Sequence, residues 1–211
     1  SLKEKLKNKD IDGCVGIGHT RWATHGEPTE INAHPHVTKN VAVVHNGIIE
    51  NFAEFKDDLL RKGISFNSQT DTEVIAQLVE EKISQDKCEP LEAVRLVVKK
   101  LSGSFALCII FRGIENLMIA TRRGSPLALG FGEEENFVSS DATSLSIFSK
   151  KICYLEEDDF VLLTPEEVKI FDSSGKSVSR NVQMFNTDPV TLSKGKYKHF
   201  MEKEIFEQPE V

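Results

Sequence analysis

The feature that most constrains the fold is the second half of the chain, where short apolar runs follow one another with turn residues between them. Residues 104–111, 116–121, 127–131, 136–139, 152–155, 160–163 and 168–171 are rich in Val, Ile, Leu and Phe. Separations of hairpin length between such runs predict antiparallel neighbours. A short helix is expected over 142–149. Three amphipathic helices precede these strands. Residues 51–62 carry Phe52, Phe55, Leu59 and Leu60 on one face and stop at Gly63. The second helix opens at Thr70-Asp71-Thr72-Glu73, where Thr70 and Glu73 read as a capping box, and carries Val74, Ile75, Leu78, Val79 and Ile83. The third has Pro90 in its first turn, then Leu91, Val94, Val97, Val98 and Leu101, and Gly103 closes it. Earlier, 14–19 and 41–45 read as strands, and Asn46-Gly47 as the turn that ends the second. Grouped helices with strands on both sides predict α+β with antiparallel sheets, not alternating βαβ units.

A chain of 211 residues can bury one large core. Residues 1–12 are charged and read as an extension with a processed or engineered start, and 173–195 read as a polar surface extension. Residues 197–206 form a last amphipathic stretch before Gln208-Pro209. A net charge of −7 argues against nucleic acid or an anionic membrane as the main partner. The longest apolar runs, such as 106–111, are too short to span a bilayer, and no signal peptide is evident, so a cytoplasmic protein is expected. Cys14, Cys88, Cys108 and Cys153 form no CxxC pair, which predicts reduced thiols and neither zinc nor a disulfide framework.

Chemistry concentrates early. Five of the six histidines fall between His19 and His45, and Gly18-His19-Thr20-Arg21-Trp22-Ala23-Thr24-His25-Gly26 interleaves them with a cation and short hydroxyls. Arg21 can hold a carboxylate through two parallel hydrogen bonds; its alternative is a structural ion pair at the core rim. Asn46-Gly47 offers a side-chain amide and a backbone N–H that could stabilise an oxyanion; its alternative is a simple tight turn. Asp71 at a helix start could receive an ammonium, or serve only as a helix-terminal charge. The histidines raise a metal reading, yet no HxxxH pair occurs and the carboxylates within the cluster are Glu27 and Glu30. No metal and no cofactor are therefore expected. None of the cysteines has an evident base: Cys14 and His19, five apart on one strand, would face opposite ways, which makes Cys14 a core residue. The parts amount to a cradle for a small anionic or amide-bearing ligand without an attacking group.

The same residues carry a family resemblance. His19-Thr20-Arg21-Trp22-Ala23-Thr24-His25-Gly26, Asn32-Ala33-His34-Pro35-His36 and His45-Asn46-Gly47-Ile48-Ile49-Glu50-Asn51 resemble the glutaminase domain of the glutamine–fructose-6-phosphate amidotransferases. Thr70-Asp71-Thr72-Glu73-Val74-Ile75, Arg123-Gly124-Ser125-Pro126-Leu127, Ser140-Asp141 and Lys203-Glu204-Ile205-Phe206-Glu207-Gln208-Pro209 extend the match along nearly the whole chain. The resemblance implies an N-terminal-nucleophile (Ntn) hydrolase-like four-layer αββα sandwich with antiparallel sheets. It implies that a terminal cysteine attacks the glutamine amide, with its own α-amine as base, to give a thioester and ammonia. Arg21 would bind the α-carboxylate, Thr24 and His25 would line the site, and Asp71 would take the α-ammonium. Asn46 and Gly47 would form the oxyanion hole, and Trp22 would gate ammonia transfer.

The match departs from the family at its start, since nothing before Cys14 corresponds to the segment that carries the nucleophile and a first core strand. The expected organisation is a variable extension over 1–12, a glutaminase domain over 13–196, and over 197–211 the start of a linker towards an absent sugar-isomerase half. The expected partners are L-glutamine or L-glutamate, the isomerase domains of the same parent chain, and a second copy as a homodimer. On this reading the chain alone does not hydrolyse glutamine. The alternatives are a non-catalytic glutamine- or glutamate-binding module and a His-cluster metal-binding protein.

Overall fold

The computed structural model describes residues 13–22, 25–185 and 194–208. The expected extension over 1–12 lies outside the described residues.

The three helices form where the apolar spacing places them: α1, Phe52–Arg61; α2, Thr72–Ser84; α3, Pro90–Val98. In α1, Leu59 is fully buried while Leu60 points outward. Gly63 ends it at φ +83, a conformation that glycine adopts without the Cβ penalty. The expected capping box at α2 does not form. The Glu73 carboxylate instead accepts the N–H groups of Asn67 at 2.8 Å and Ser68 at 2.6 Å, which ties down the incoming loop. Thr70 is thereby free to pair with Ser68 and His36. Nor does the Asp71 side chain cap α2, although Asp71 occupies the N-cap position.

Eleven strands form two antiparallel sheets among the described residues. They are β1 (His36–Val37), β2 (Val41–Ile49), β3 (Gly103–Phe111), β4 (Met118–Arg123), β5 (Ala128–Phe131) and β6 (Asn136–Ser139), followed by β7 (Lys151–Tyr154), β8 (Phe160–Leu163), β9 (Val168–Phe171), β10 (Ser177–Val178) and β11 (Val182–Met184). The larger sheet has the order β1-β2-β3-β4-β8-β9-β10 and the smaller β11-β7-β5-β6. Two further helices are α4 (Ala142–Leu145) and α5 (Phe200–Glu207).

The period-2 alternation of the strands builds the layers. On β3, Phe105, Leu107, Ile109 and Phe111 join Ile75, Val79, Val94 and Val97 in a core between the large sheet and the helices. Ala106 and Cys108, on the opposite face, pack with Leu129, Cys153 and Val161 between the two sheets. The far side of the small sheet places Ala128 and Ile152 against Ala142 and Leu145 of α4. The order is helix, sheet, sheet, helix, as expected.

Three further expectations differ. Residues 14–19 form no strand, and Cys14 is exposed rather than core. The polar stretch 173–195 stays at the surface in its described part but adds two unexpected edge strands: β10 pairs with β9, and β11 with β7. Most consequentially, Asn46-Gly47 is not a turn. β2 runs on to Ile49, with Asn46 opposite Ala106 and Gly47 opposite Phe105. A ladder with all nine residues of β3 outweighs the local turn preference of Asn-Gly, and Gly47 absorbs the distortion at φ +123.

Candidate functional site

A cavity of about 730 Å³ opens where the middle of β2, the loop before Gly26 and the start of α2 converge. Arg21, Trp22, His25, Asn46, Gly47 and Asp71, far apart in sequence, all line it. Thr24 lies outside the described residues.

Each group is held by identifiable bonds. The Arg21 guanidinium donates to its own loop: Nη1 to the Glu27 carbonyl at 2.7 Å, and Nη2 to the carbonyls of His25 at 2.8 Å and Gly26 at 3.0 Å. A guanidinium has five N–H donors, so these three bonds fix its plane and, among the described residues, leave two N–H groups uncommitted. Among the described residues no Asp pairs with it. Asp71, 3% exposed, accepts the Ile49 N–H through Oδ2 at 2.8 Å, which locks the carboxylate to the end of β2. Trp22 is 89% exposed at the rim. The His25 ring meets Phe52 edge-on, with centroids 5.4 Å apart.

His19, His34, His36 and His45 form a cluster of rings, and all but His36 line the cavity. His34 lies 4.3 Å from His19, 5.0 Å from His36 and 6.5 Å from His45 between ring centroids. One nitrogen of each is engaged: His19 Nε2 with Asn46 Oδ1 at 2.6 Å, His36 Nε2 with Thr70 Oγ1 at 2.9 Å, and His45 Nδ1 with Thr72 Oγ1 at 2.9 Å. His34 Nδ1 accepts the His45 backbone N–H at 3.3 Å. Burial, then the neighbouring imidazoles, lowers His34 to about 3. Burial lowers His45 to about 4 against the opposing pull of Asp71. His36 is lowered too, chiefly by burial. Charged imidazoles in one stack would repel each other in a poorly hydrated space. Near neutral pH, His34 and His45 therefore act as neutral hydrogen-bonding rings. Among the described residues, no group of three or more His, Cys, Asp or Glu is arranged to hold a metal ion.

The sequence reading missed the partners. Thr70 and Thr72 hold His36 and His45, and no spacing signal marks a hydroxyl for that task. Ala106, Cys108, Leu127 and Val138 give the cavity an apolar wall from β3, from beside β5 and from β6. The alternation of β3 does announce that Ala106 and Cys108 share a face.

The profile described as "Glutamine amidotransferase domain" matches residues 19–146, a span that contains every cavity-lining residue discussed above. Over all 211 residues the chain is 51% identical to the glutamine–fructose-6-phosphate aminotransferase (isomerizing) of Mesorhizobium japonicum and 50% identical to that of Zymomonas mobilis. In both cases it spans 35% of the relative's length. Among solved structures, the B. subtilis glutamine phosphoribosylpyrophosphate amidotransferase matches 81% of this chain and 34% of its own at a TM-score of 0.56 and 21% identity. That likeness shows the fold, the Ntn-type sandwich of antiparallel sheets between helices. The chain belongs to the glutamine amidotransferase domain family.

Proposed function

We propose that this chain is the glutamine-hydrolysing domain of a longer enzyme that converts fructose 6-phosphate to glucosamine 6-phosphate, and that it supplies the ammonia for that step. The observation that carries the reading is the convergence of Arg21, Asp71, Asn46 and Gly47 on one cavity. A cation and a buried carboxylate lining one cavity suit the carboxylate and ammonium of an α-amino acid. Asn46 and the Gly47 N–H, on β2 in the same cavity, suit the oxyanion formed when the side-chain amide is attacked. The strong identity to aminotransferases that use glutamine and fructose 6-phosphate, over about a third of their length, supports the substrate and the larger assembly. On this reading residues 13–196 are the glutaminase domain, 197–211 lead towards the isomerase part, and the enzyme works in the cytoplasm as a homodimer.

The attacking thiol does not come from the cysteines of this chain. Cys14 is exposed and Cys88 packs against the helical core. Burial raises the Cys153 thiol. Cys108 faces the cavity, but burial raises its thiol to about 12, which keeps it protonated and inert. We assign the nucleophile to a terminal cysteine outside the 211 residues. The test compares glutamate release from glutamine by this chain and by the protein extended to its native start. Activity in the extended protein alone, abolished by capping its terminal cysteine and by Asn46→Ala, supports the reading. Steady release by the 211-residue chain that Asn46→Ala abolishes overturns the assignment of the nucleophile. Failure of both proteins, with Arg21-dependent glutamine binding retained, indicates a binding module.

A further inference from the structure

If Asn46 is an oxyanion donor, its amide must be presented the right way round. An Asn side chain is nearly symmetric in shape, and half a turn about its last bond replaces two N–H donors with an acceptor. A carbonyl oxygen at the oxyanion position would repel the charge it should stabilise. Something must therefore fix the amide. His19 Nε2 lies 2.6 Å from Asn46 Oδ1. A carbonyl oxygen can only accept, so His19 carries its proton on Nε2 and donates it. This occupies the oxygen and leaves the NH2 as the free end of an Asn46 side chain that lines the cavity. We infer that His19 is a positioning residue that sets the orientation of the Asn46 amide. The inference rests on the reading of Asn46 given above.

The anchor is itself fixed. The His19 ring packs tilted against His34, with centroids 4.3 Å apart and 31° between planes. His34 Nδ1 in turn accepts the N–H of His45, the neighbour of Asn46 on β2. Strand, His34, His19 and Asn46 thus form a closed circuit, so movement of the loop that carries His19 is referred back to the strand that carries the donor. The His19 Nδ1 is buried without a partner, which suits an unprotonated nitrogen better than a buried N–H.

The test uses the full-length enzyme with its terminal cysteine. His19→Ala is expected to lower kcat for glutamine hydrolysis by about 10-fold or more, up to the roughly 10²–10³-fold loss that follows removal of an oxyanion donor. KM for glutamine and the affinity for L-glutamate should change little, because the bonds to the α-carboxylate and α-ammonium are elsewhere. His19→Gln, whose amide N–H reaches a similar position, should recover much of the rate. The double variant His19→Ala with Asn46→Ala should be no slower than Asn46→Ala alone, since His19 acts only through Asn46. An Asn46→Ala enzyme with wild-type kcat would remove the oxyanion reading and this inference together. Slow Asn46→Ala with unimpaired His19→Ala, an additive double variant, or no recovery in His19→Gln would overturn the role of His19 alone. Weakened L-glutamate binding in His19→Ala would do so too, by revealing a merely structural role.

Discussion

Replacing Gly47 by Ala separates two costs that glycines usually pay together. At φ +123, an alanine would sit where L side chains are rarely found, which costs about 1–3 kcal/mol. A Cβ there would also lie 2.0 Å from the Ser104 carbonyl oxygen and 2.9 Å from the Phe105 Cα. Both are backbone atoms of β3, paired within a nine-residue ladder, so neither can turn aside as a side-chain tip would. The strands must part by more than an ångström to restore ordinary contact. Adding ladder distortion to the conformational cost gives at least about 3 kcal/mol, which a domain of 5–15 kcal/mol total stability feels severely. At roughly 2–4 °C per kcal/mol for a chain of this size, Tm should fall by at least about 6 °C. Gly63→Ala is the internal control: it shares a positive φ of +83, but nothing lies within 4 Å of the added Cβ. Its cost should stay near about 1 kcal/mol. Thermal unfolding of the three proteins decides the matter. Equal shifts for the two variants would refute the argument that backbone contact at Gly47 dominates.

Other outcomes follow from the same structure. Arg180 donates twice to Asp159, at 2.9 and 2.7 Å, and the Asp159 side chain is 0% exposed, so Arg180→Ala strands a buried carboxylate and should cost about 3–5 kcal/mol in denaturant unfolding. Ile109→Ala, at a fully buried site in the helix-facing core, should cost about 2–5 kcal/mol in the same assay. The imidazole stack makes stability acid-sensitive. His34 at about 3 and His45 at about 4 lie below the ordinary 6.5, so the unfolded chain takes up protons first as pH falls. Their contribution is complete above about pH 6.5 and is lost as pH drops towards 4, on the order of 1 kcal/mol per pH unit and less for half-buried His34. Urea midpoints between pH 7.5 and 4.5 should track this fall, and His34→Asn should flatten it; an unchanged slope would count against the stack as its source.

The layers were legible because they depend on periodicity. The alternation of 104–111 and the 3.6-residue spacing of 72–84 each state which face is buried, and the structure buries those faces. What failed was local punctuation. Asn46-Gly47 reads as a turn to anyone who sees only its neighbours, yet pairing with β3, more than fifty residues away, carries the strand through it. Thr70-x-x-Glu73 reads as a capping box, but Glu73 found two backbone donors in the preceding loop. For the site, Arg21, Asp71, Asn46 and Gly47 were visible as residue types, and only tertiary structure joins them on one cavity. The three loop carbonyls that hold Arg21 carry no sequence signal of their own, and His19, visible as a residue type, gave no sign that it would meet Asn46.

The account stands on the claim that this cavity receives an α-amino acid through Arg21 and Asp71. Isothermal titration of L-glutamine and L-glutamate onto the protein tests it most directly. The account predicts saturable binding of both, lost or weakened at least tenfold in Arg21→Ala and in Asp71→Asn, with both variants still folded. That loss corresponds to about 1.4 kcal/mol or more at each end of the ligand. No binding by the wild-type protein, or binding that neither substitution weakens, would contradict it.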